Sequence, residues 1–361
     1  MQPRDLSAHA PYVPGRGTEE VARELGMDPE DLTKLSSNEN PHGASPKAVA
    51  AIEAAAPTVS VYPKTAHTDL TEKLAAKWDL EAEQVWVSPG ADGSIDYLTR
   101  AMLEPGDDVL EPSPGFSYYS MSARYHHGDA VQYDVSKADD FEQTADAVLD
   151  AYDGERMVYL TTPHNPSGSV LPRAELVGLA EAVEDHTLLV VDEAYGEFSD
   201  EPSAIDLLSE YDNVAVLRTF SKAYGLAGLR IGYACVPEEW ADAYARVNTP
   251  FAASEVACRA ALAALDDEDH VQKTVESARW SRDYFRDELD VPTWESDGNF
   301  VLAEVGDATA VSEAAQREGV IVRDCGSFGL PECIRVSCGT EEQTKRAVDV
   351  LNRIVSEVPT A

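Results

Sequence analysis

The sequence predicts an α/β protein: a large domain with a mainly parallel sheet flanked by helices, plus a smaller α+β domain. Three observations predict it. Short apolar runs are followed by Gly, Pro, Ser, Asn or Asp and then by helical periodicity, again and again between about residues 85 and 222. The runs are near-continuously apolar, as strands covered on both faces are. From about residue 255 the pattern gives way to a long helical stretch and scattered short strands. A chain of 361 residues suits about two domains. The expected division is 41–254 for the large domain, and 1–40 together with 255–361 for the small one.

In chain order, a short helix is expected over 19–25, in a segment that precedes the large-domain pattern and so should pack against the C-terminal part. Val85-Trp86-Val87 runs into Ser88-Pro89-Gly90-Ala91-Asp92-Gly93-Ser94 and a helix over 95–103. Asp108-Val109-Leu110 leads to Pro112-Ser113-Pro114-Gly115 and another helix. Met157-Val158-Tyr159-Leu160 enters Thr161-Thr162-Pro163-His164-Asn165-Pro166-Ser167-Gly168. Leu188-Leu189-Val190-Val191 ends at Asp192, and Val214-Ala215-Val216-Leu217 ends at Arg218-Thr219-Phe220-Ser221-Lys222. Beyond these, one long helical stretch is expected through 257–265 and on to residue 289. Short strands should follow near 299–303, 320–323 and 334–336, then a closing helix over 341–355.

Composition excludes several classes. Lys+Arg number 28 against 66 Asp+Glu, a formal net charge of −38. A nucleic-acid binder needs the opposite sign. An acidic disordered chain would lack aromatics, and this one has 15 Tyr. The charge reads as a surface adapted to high salt, where screening weakens self-repulsion. No apolar run is long enough to span a bilayer, and Met1-Gln2-Pro3-Arg4-Asp5 lacks the apolar stretch of a signal peptide, so a cytoplasmic protein is expected. The five cysteines, Cys235, Cys258, Cys325, Cys333 and Cys338, form no CxxC pair and are expected as buried thiols. The histidines show no metal-ligand spacing.

In an open parallel sheet, ligands bind at the carboxyl ends of the strands. Asn165, Asp192, Tyr195, Ser221 and Lys222 all fall there, so three apolar strands deliver polar groups to one rim. Lysine is sparse: after Lys137 the chain has only Lys222, Lys273 and Lys345. A lysine beside a serine, with Arg230 eight residues on and Asp192 on the neighbouring rim, suits a Schiff base on pyridoxal 5′-phosphate. The bland alternative for Lys222 is a solvated loop lysine. Glu193, next to Asp192 on an extended chain, points the other way and reads as structural.

The run Ser221-Lys222-Ala223-Tyr224-Gly225-Leu226-Ala227-Gly228-Leu229-Arg230-Ile231-Gly232-Tyr233 resembles the lysine segment of the fold-type I pyridoxal-phosphate-dependent aminotransferases, especially the histidinol-phosphate aminotransferases. So do Asn38-Glu39-Asn40-Pro41, Tyr62-Pro63, Asn165-Pro166-Ser167-Gly168 and Asp192-Glu193-Ala194-Tyr195. Pro11-Tyr12-Val13-Pro14-Gly15 and Arg335-Val336-Ser337-Cys338-Gly339-Thr340 extend the likeness to both ends. The resemblance implies the class I/II fold type I architecture. It implies transamination between L-histidinol phosphate and 2-oxoglutarate, giving imidazole acetol phosphate and glutamate, in histidine biosynthesis.

The resemblance also implies roles. Lys222 would hold the cofactor and shuttle a proton. Asp192 would pair with the ring nitrogen, and Tyr195 and Asn165 with the phenolic oxygen. Ser221, Arg230 and the amides of Ala91 and Asp92 would bind the cofactor phosphate, the amides because they open a helix. Phe116 would stack on the ring, where relatives usually carry Tyr. Tyr62 would reach the cofactor phosphate of the other subunit of a homodimer. Arg335, Arg323, Tyr12 and Asn40 would bind the small-molecule substrates, the arginines taking carboxylate or phosphate. Either arginine could instead be a surface ion pair.

Two other pyridoxal-phosphate activities share the scaffold: aromatic transamination and threonine-phosphate decarboxylation. A regulator built on the same fold would carry a DNA-binding domain, and this acidic chain begins its enzyme-like pattern within the first fifteen residues. A nucleotide-binding Rossmann protein would show GxGxxG after its first strand, which is missing here.

Overall fold

The strands form where β-branched and aliphatic residues cluster between turn residues. In the computed structural model, which describes residues 17–64 and 67–357 with Leu6, Ser7, His9, Pro11 and Tyr12, they are β1 (Thr33–Lys34), β2 (Val85–Ser88), β3 (Asp108–Ser113), β4 (Asp129–Asp134), β5 (Met157–Thr161), β6 (Leu188–Asp192), β7 (Val214–Thr219), β8 (Gly232–Cys235), β9 (Phe300–Glu304), β10 (Val320–Ile321), β11 (Arg323–Asp324) and β12 (Cys333–Ser337). Val13, Pro14 and Gly15 of the N-terminal motif, and Met1 to Asp5, lie outside the described residues.

Seven strands make one sheet in the order β2-β8-β7-β6-β5-β3-β4. Its pairings are parallel except those of β8, which runs against both β2 and β7. The mainly parallel sheet is therefore present. Successive residues of its strands point to opposite faces. Val158, Leu160, Leu189, Val191, Val214 and Val216 pack into one core with Leu70, Leu74, Leu176 and Leu179 from helices. Met157, Tyr159, Leu188, Val190, Ala215 and Leu217 pack into another with Ile95, Leu98 and Tyr119. Both faces are dry, which is why these strands read as unbroken apolar runs. Each such buried Val or Leu is worth roughly 1.5–3 kcal/mol.

The remaining strands belong to the end of the chain. β9, β11 and β12 form an antiparallel sheet in the order β11-β12-β9. β1 pairs with β10, matching Thr33 with Val320 and Lys34 with Ile321. Leu35 continues into a core with Phe285, Val301, Val320 and Val336. The early segment thus packs on the C-terminal part, as expected.

Three local expectations need correction. The strand expected over 320–323 is two: β10 pairs with β1 and β11 with β12, with Val322 between them. The long helical stretch is two helices, Glu255–Leu265 and Glu268–Glu288, because Asp267 leaves the helical region at φ −116° and ψ 61°. The helix expected over 95–103 starts five residues earlier, as Gly90–Met102. Its Gly-Ala-Asp-Gly-Ser opening reads as a turn.

Sheet order also places the crevice. β3 and β5 are neighbours, but the chain leaves β3 towards β4 on one side and β5 towards β6 on the other. At such a reversal the loops diverge and open a cleft beyond the strand ends.

Candidate active site

Around that cleft the structure gathers most of the expected residues. β6 ends on Asp192, which is buried. Its Oδ2 accepts from the Tyr119 hydroxyl at 2.7 Å and its Oδ1 from the Ala194 amide at 2.9 Å. Burial pushes its pKa up to about 6, and the charges of Asp92 and Glu193 push the same way, while the two hydrogen bonds oppose them. Tyr195, in the turn after β6, is buried with its ring edge-on to Phe300, and its oxygen accepts from Asn38 Nδ2 at 3.0 Å. Lys222 follows β7. Its Nζ donates to the Ser37 carbonyl at 3.1 Å and lies 5.6 Å from the Tyr195 ring centre.

The lysine loop is held from below. Gly225 has φ +68°, and a Cβ there would lie 2.2 Å from the Gly43 carbonyl oxygen, so only glycine fits. Asn40 Nδ2 donates to the Ala223 carbonyl at 2.8 Å and to Thr274 Oγ1 at 3.0 Å, while its Oδ1 accepts from the His42 amide. The structure therefore places Asn40 as a brace of the lysine loop rather than with the arginines. Asn38, two residues earlier at φ +55°, takes the position against Tyr195.

A second group of residues forms an anion cradle. Arg230 donates to Ser221 Oγ at 3.4 Å, to the Ala227 carbonyl at 3.1 Å and to Asp92 Oδ2 at 2.9 Å. It lies across the start of the helix Gly90–Met102, where a Cβ on Gly90 would sit 2.4 Å from its NH2. No side chain caps that helix among the described residues, so the Ala91 and Asp92 amides stand at an uncapped N-terminus. Two amides, a hydroxyl and a guanidinium suit a phosphate monoester in donor number and in sign.

The two arginines converge from the other side. Arg323 and Arg335 are register partners across β11 and β12, and partners directly opposite share one face of the sheet. Ile334 and Val336 point the other way, into the apolar core. Arg335 is buried. It donates to Asn165 Oδ1 and, at 3.1 Å, to the Ser36 carbonyl, while its Nε is buried without a hydrogen bond among the described residues. Phe328 stands between the pair, its ring centre 5.7 Å from the Arg323 guanidinium and 5.9 Å from that of Arg335. Arg323 also donates to Ser327 Oγ.

Phe116 meets Tyr12 and Tyr119 edge to face, at 6.1 and 5.5 Å between ring centres. Tyr12 is thereby joined to the group; Tyr62 is not. It is 80 % exposed, with its ring against Phe251, beside exposed Val59 and Val61. His164 bridges the Pro114 carbonyl and Ser167 Oγ, tying the loop after β5 to the loop after β3. Burial lowers its pKa to about 4, so it is neutral. Glu193 bonds Arg218, Ser203 and the Ala204 amide, a structural role as expected. All five cysteines are buried thiols.

Sequence reasoning missed Tyr119, Asn38, Thr161 and Phe328. Tyr119 carried one usable signal, lying three residues after Phe116, in the first turn of the helix Tyr118–Tyr125 that follows it.

The aminotransferase class I and II family matches residues 30–351 of the chain. A histidinol-phosphate aminotransferase of Haloferax volcanii is 90 % identical over 361 residues, covering 100 % of both chains. One of Haloquadratum walsbyi is 67 % identical over 100 % of this chain and 96 % of its own. Among solved structures, the histidinol-phosphate aminotransferase of Sinorhizobium meliloti in complex with pyridoxal 5′-phosphate superposes with a TM-score of 0.89. It is 28 % identical over 99 % of this chain and 98 % of its own.

Proposed function

The chain belongs to the class I and II aminotransferases, within the histidinol-phosphate aminotransferase family, and we propose that it moves an amino group reversibly between L-histidinol phosphate and 2-oxoglutarate, as a cytoplasmic enzyme of histidine biosynthesis. Its cofactor is pyridoxal 5′-phosphate. The observation that carries the reading is the convergence of Asp192, Tyr195, Lys222, Asn165 and Arg335 on one rim, beside a phosphate-sized cradle.

When bound, the cofactor supplies a carbonyl carbon for the amino group and a ring that draws electrons from the neighbouring carbon. Lys222 would hold it through Nζ, and the same amine would move a proton to and from the substrate carbon. Asp192, ionised, holds a proton at the ring nitrogen. Asn38 already donates to the Tyr195 oxygen, so the Tyr195 proton remains for the phenolic oxygen. Arg335 occupies Asn165 Oδ1, so its Nδ2 is left to donate to the same oxygen. Ser221, Arg230 and the Ala91 and Asp92 amides would bind the phosphate, and Phe116 would cover the ring.

Arg335, Arg323 and Tyr12 take the substrate anion, the glutamate carboxylate in one half-reaction and the histidinol phosphate group in the other. The Arg335 Nε, which has no partner among the described residues, supports this, because a buried donor without a partner costs about 1–3 kcal/mol until something accepts from it. We place the site at the junction of a large domain, 41–254, and a small one, 1–40 with 255–361. The exposed patch of Val59, Val61, Tyr62 and Phe251 is the surface we assign to a homodimer, with Tyr62 reaching the phosphate in the other subunit. Mixing Lys222→Ala with Tyr62→Ala protein should restore part of the activity, since one site in each mixed dimer is intact. No recovery between subunits that demonstrably exchange rejects the sharing.

The function is tested by half-reaction. Cofactor-loaded enzyme is mixed separately with L-histidinol phosphate, phenylalanine, tyrosine and threonine phosphate while the cofactor spectrum is followed. Histidinol phosphate should convert the spectrum and 2-oxoglutarate should restore it. Conversion by the aromatic amino acids alone, or release of carbon dioxide from threonine phosphate, rejects the assignment.

A further inference from the structure

We infer that Tyr119 is a positioning residue for the reaction: its phenol, bonded to Asp192 Oδ2, holds that carboxylate ionised and fixed in direction. The inference rests on the reading of Asp192 as the partner of the ring nitrogen.

The geometry is closed on every side. Tyr119 is fully buried on the helix Tyr118–Tyr125, which begins beyond the end of β3, while Asp192 ends β6. Its oxygen lies 2.7 Å from Asp192 Oδ2 and 2.9 Å from Thr161 Oγ1 at the end of β5. An ionised carboxylate only accepts, so the phenol proton goes to Asp192 and the threonine proton goes to the phenol oxygen. The run Thr161 to Tyr119 to Asp192 therefore has one direction. The Tyr119 ring is clamped, stacked on Tyr159 at 4.3 Å and 13°, with Phe116 edge-on at 88°. The other Asp192 oxygen accepts from the Ala194 amide, so neither oxygen is at liberty to turn.

The surroundings explain why a donor is needed. Burial raises the Asp192 pKa, Asp92 from the helix Gly90–Met102 and Glu193 just after β6 add to it, and Tyr119 from its helix opposes them. Tyr159 on β5, which stacks on Tyr119, is neutral because burial raises its own pKa. Burial and the nearby Asp192 charge raise the Tyr119 pKa well above the ordinary value, so it remains a donor throughout the working range. A hydrogen bond to a charged acceptor corresponds to a shift of about one to two pH units.

The test compares wild type with Tyr119→Phe, Thr161→Val and Asp192→Asn in molar KCl. Two quantities are followed from about pH 5 to pH 8: the affinity of cofactor-free protein for pyridoxal 5′-phosphate, and kcat/KM of loaded enzyme. Tyr119→Phe keeps the ring and its stack. It should move the acid limb of both profiles up by about one pH unit, and Thr161→Val should move them the same way by less. Asp192→Asn should abolish the limb. If Asp192→Asn abolishes it while the other two variants keep the wild-type midpoint, Tyr119 only packs and the inference falls. If Asp192→Asn leaves the limb in place, the reading of Asp192 itself falls, and the inference with it. Should Tyr119→Phe not fold, the Thr161→Val midpoint decides.

Discussion

Asp192 is 4 % exposed at the end of a dry strand, and burial pushes its pKa up to about 6. A carboxyl raised in this way is neutral below that pH and ionised above it. Activity that needs the charge should fall as pH drops through about 6 and be complete above it. Asp192→Asn removes the charge at every pH. It should leave cofactor bound but lower turnover by on the order of 10²–10³-fold, the scale of one lost electrostatic contact in a dry site. Near-normal turnover would place the ring-nitrogen partner elsewhere. The arginines separate by burial: Arg335 is 6 % exposed, while Arg323 reaches Ser327 at the surface. Arg335→Ala should raise KM for amino donor and acceptor alike, by roughly 10–10²-fold for a charge-assisted pair. Arg323→Ala should weaken the phosphorylated substrate more. If both variants lose only glutamate, the substrate-phosphate assignment is wrong. Asp192, Lys222 and Arg335 were legible because each interrupts or ends an apolar run. Asn38 was not, since its partners lie 157 and 299 residues away and leave no local period; Phe328 was not, since it sits in the short turn between β11 and β12, which has no period of its own.

Between elements, a buried triad ties the two strands that carry the reacting groups. Arg218 on β7 bonds Glu193 after β6 and Glu197 in the turn beyond, each at 2.5 Å, with all three side chains nearly inaccessible. Both carboxylates lose their counter-charge in Arg218→Ala. Breaking a buried pair from one side costs about 3–5 kcal/mol. Thermal melts of the variant in molar KCl should show that loss, and one below about 1 kcal/mol would mean that the triad contributes no more than a surface ion pair. Glu193 was legible as structural, since alternation turns it away from Asp192, but its partner Arg218 read only as the end of a strand. The helix start at Gly90 was hidden for a different reason. A glycine at φ +81° and an uncapped turn look like a loop, and only the close approach of Arg230 gives the glycine its purpose. β10 and β11 read as one strand because Val322 continues the apolar run while the chain changes partners.

For the molecule as a whole, sheet class was legible and strand order was not. Periodicity tells which residues face a core but not which strand lies beside which, and the reversal between β3 and β5 that opens the cleft is a property of order. Charge was legible outright: 66 acidic against 28 basic residues leave −38, and relatives from Haloferax volcanii and Haloquadratum walsbyi fit a salt-adapted surface. Raising salt from 0.1 M to 1 M shortens the screening length from about 10 Å to about 3 Å. Melting temperature, dimer fraction and cofactor retention should therefore all rise towards molar KCl, in melting curves and sedimentation across that range. Values that stay flat or fall would reject the salt reading and leave the enzyme reading standing. The site itself is tested most directly by its covalent bond. Enzyme loaded with pyridoxal 5′-phosphate is reduced with borohydride, digested and mapped. The pyridoxyl group is expected on Lys222, in the loop after β7; finding it on Lys273 or Lys345 instead would overturn the assignment of the site.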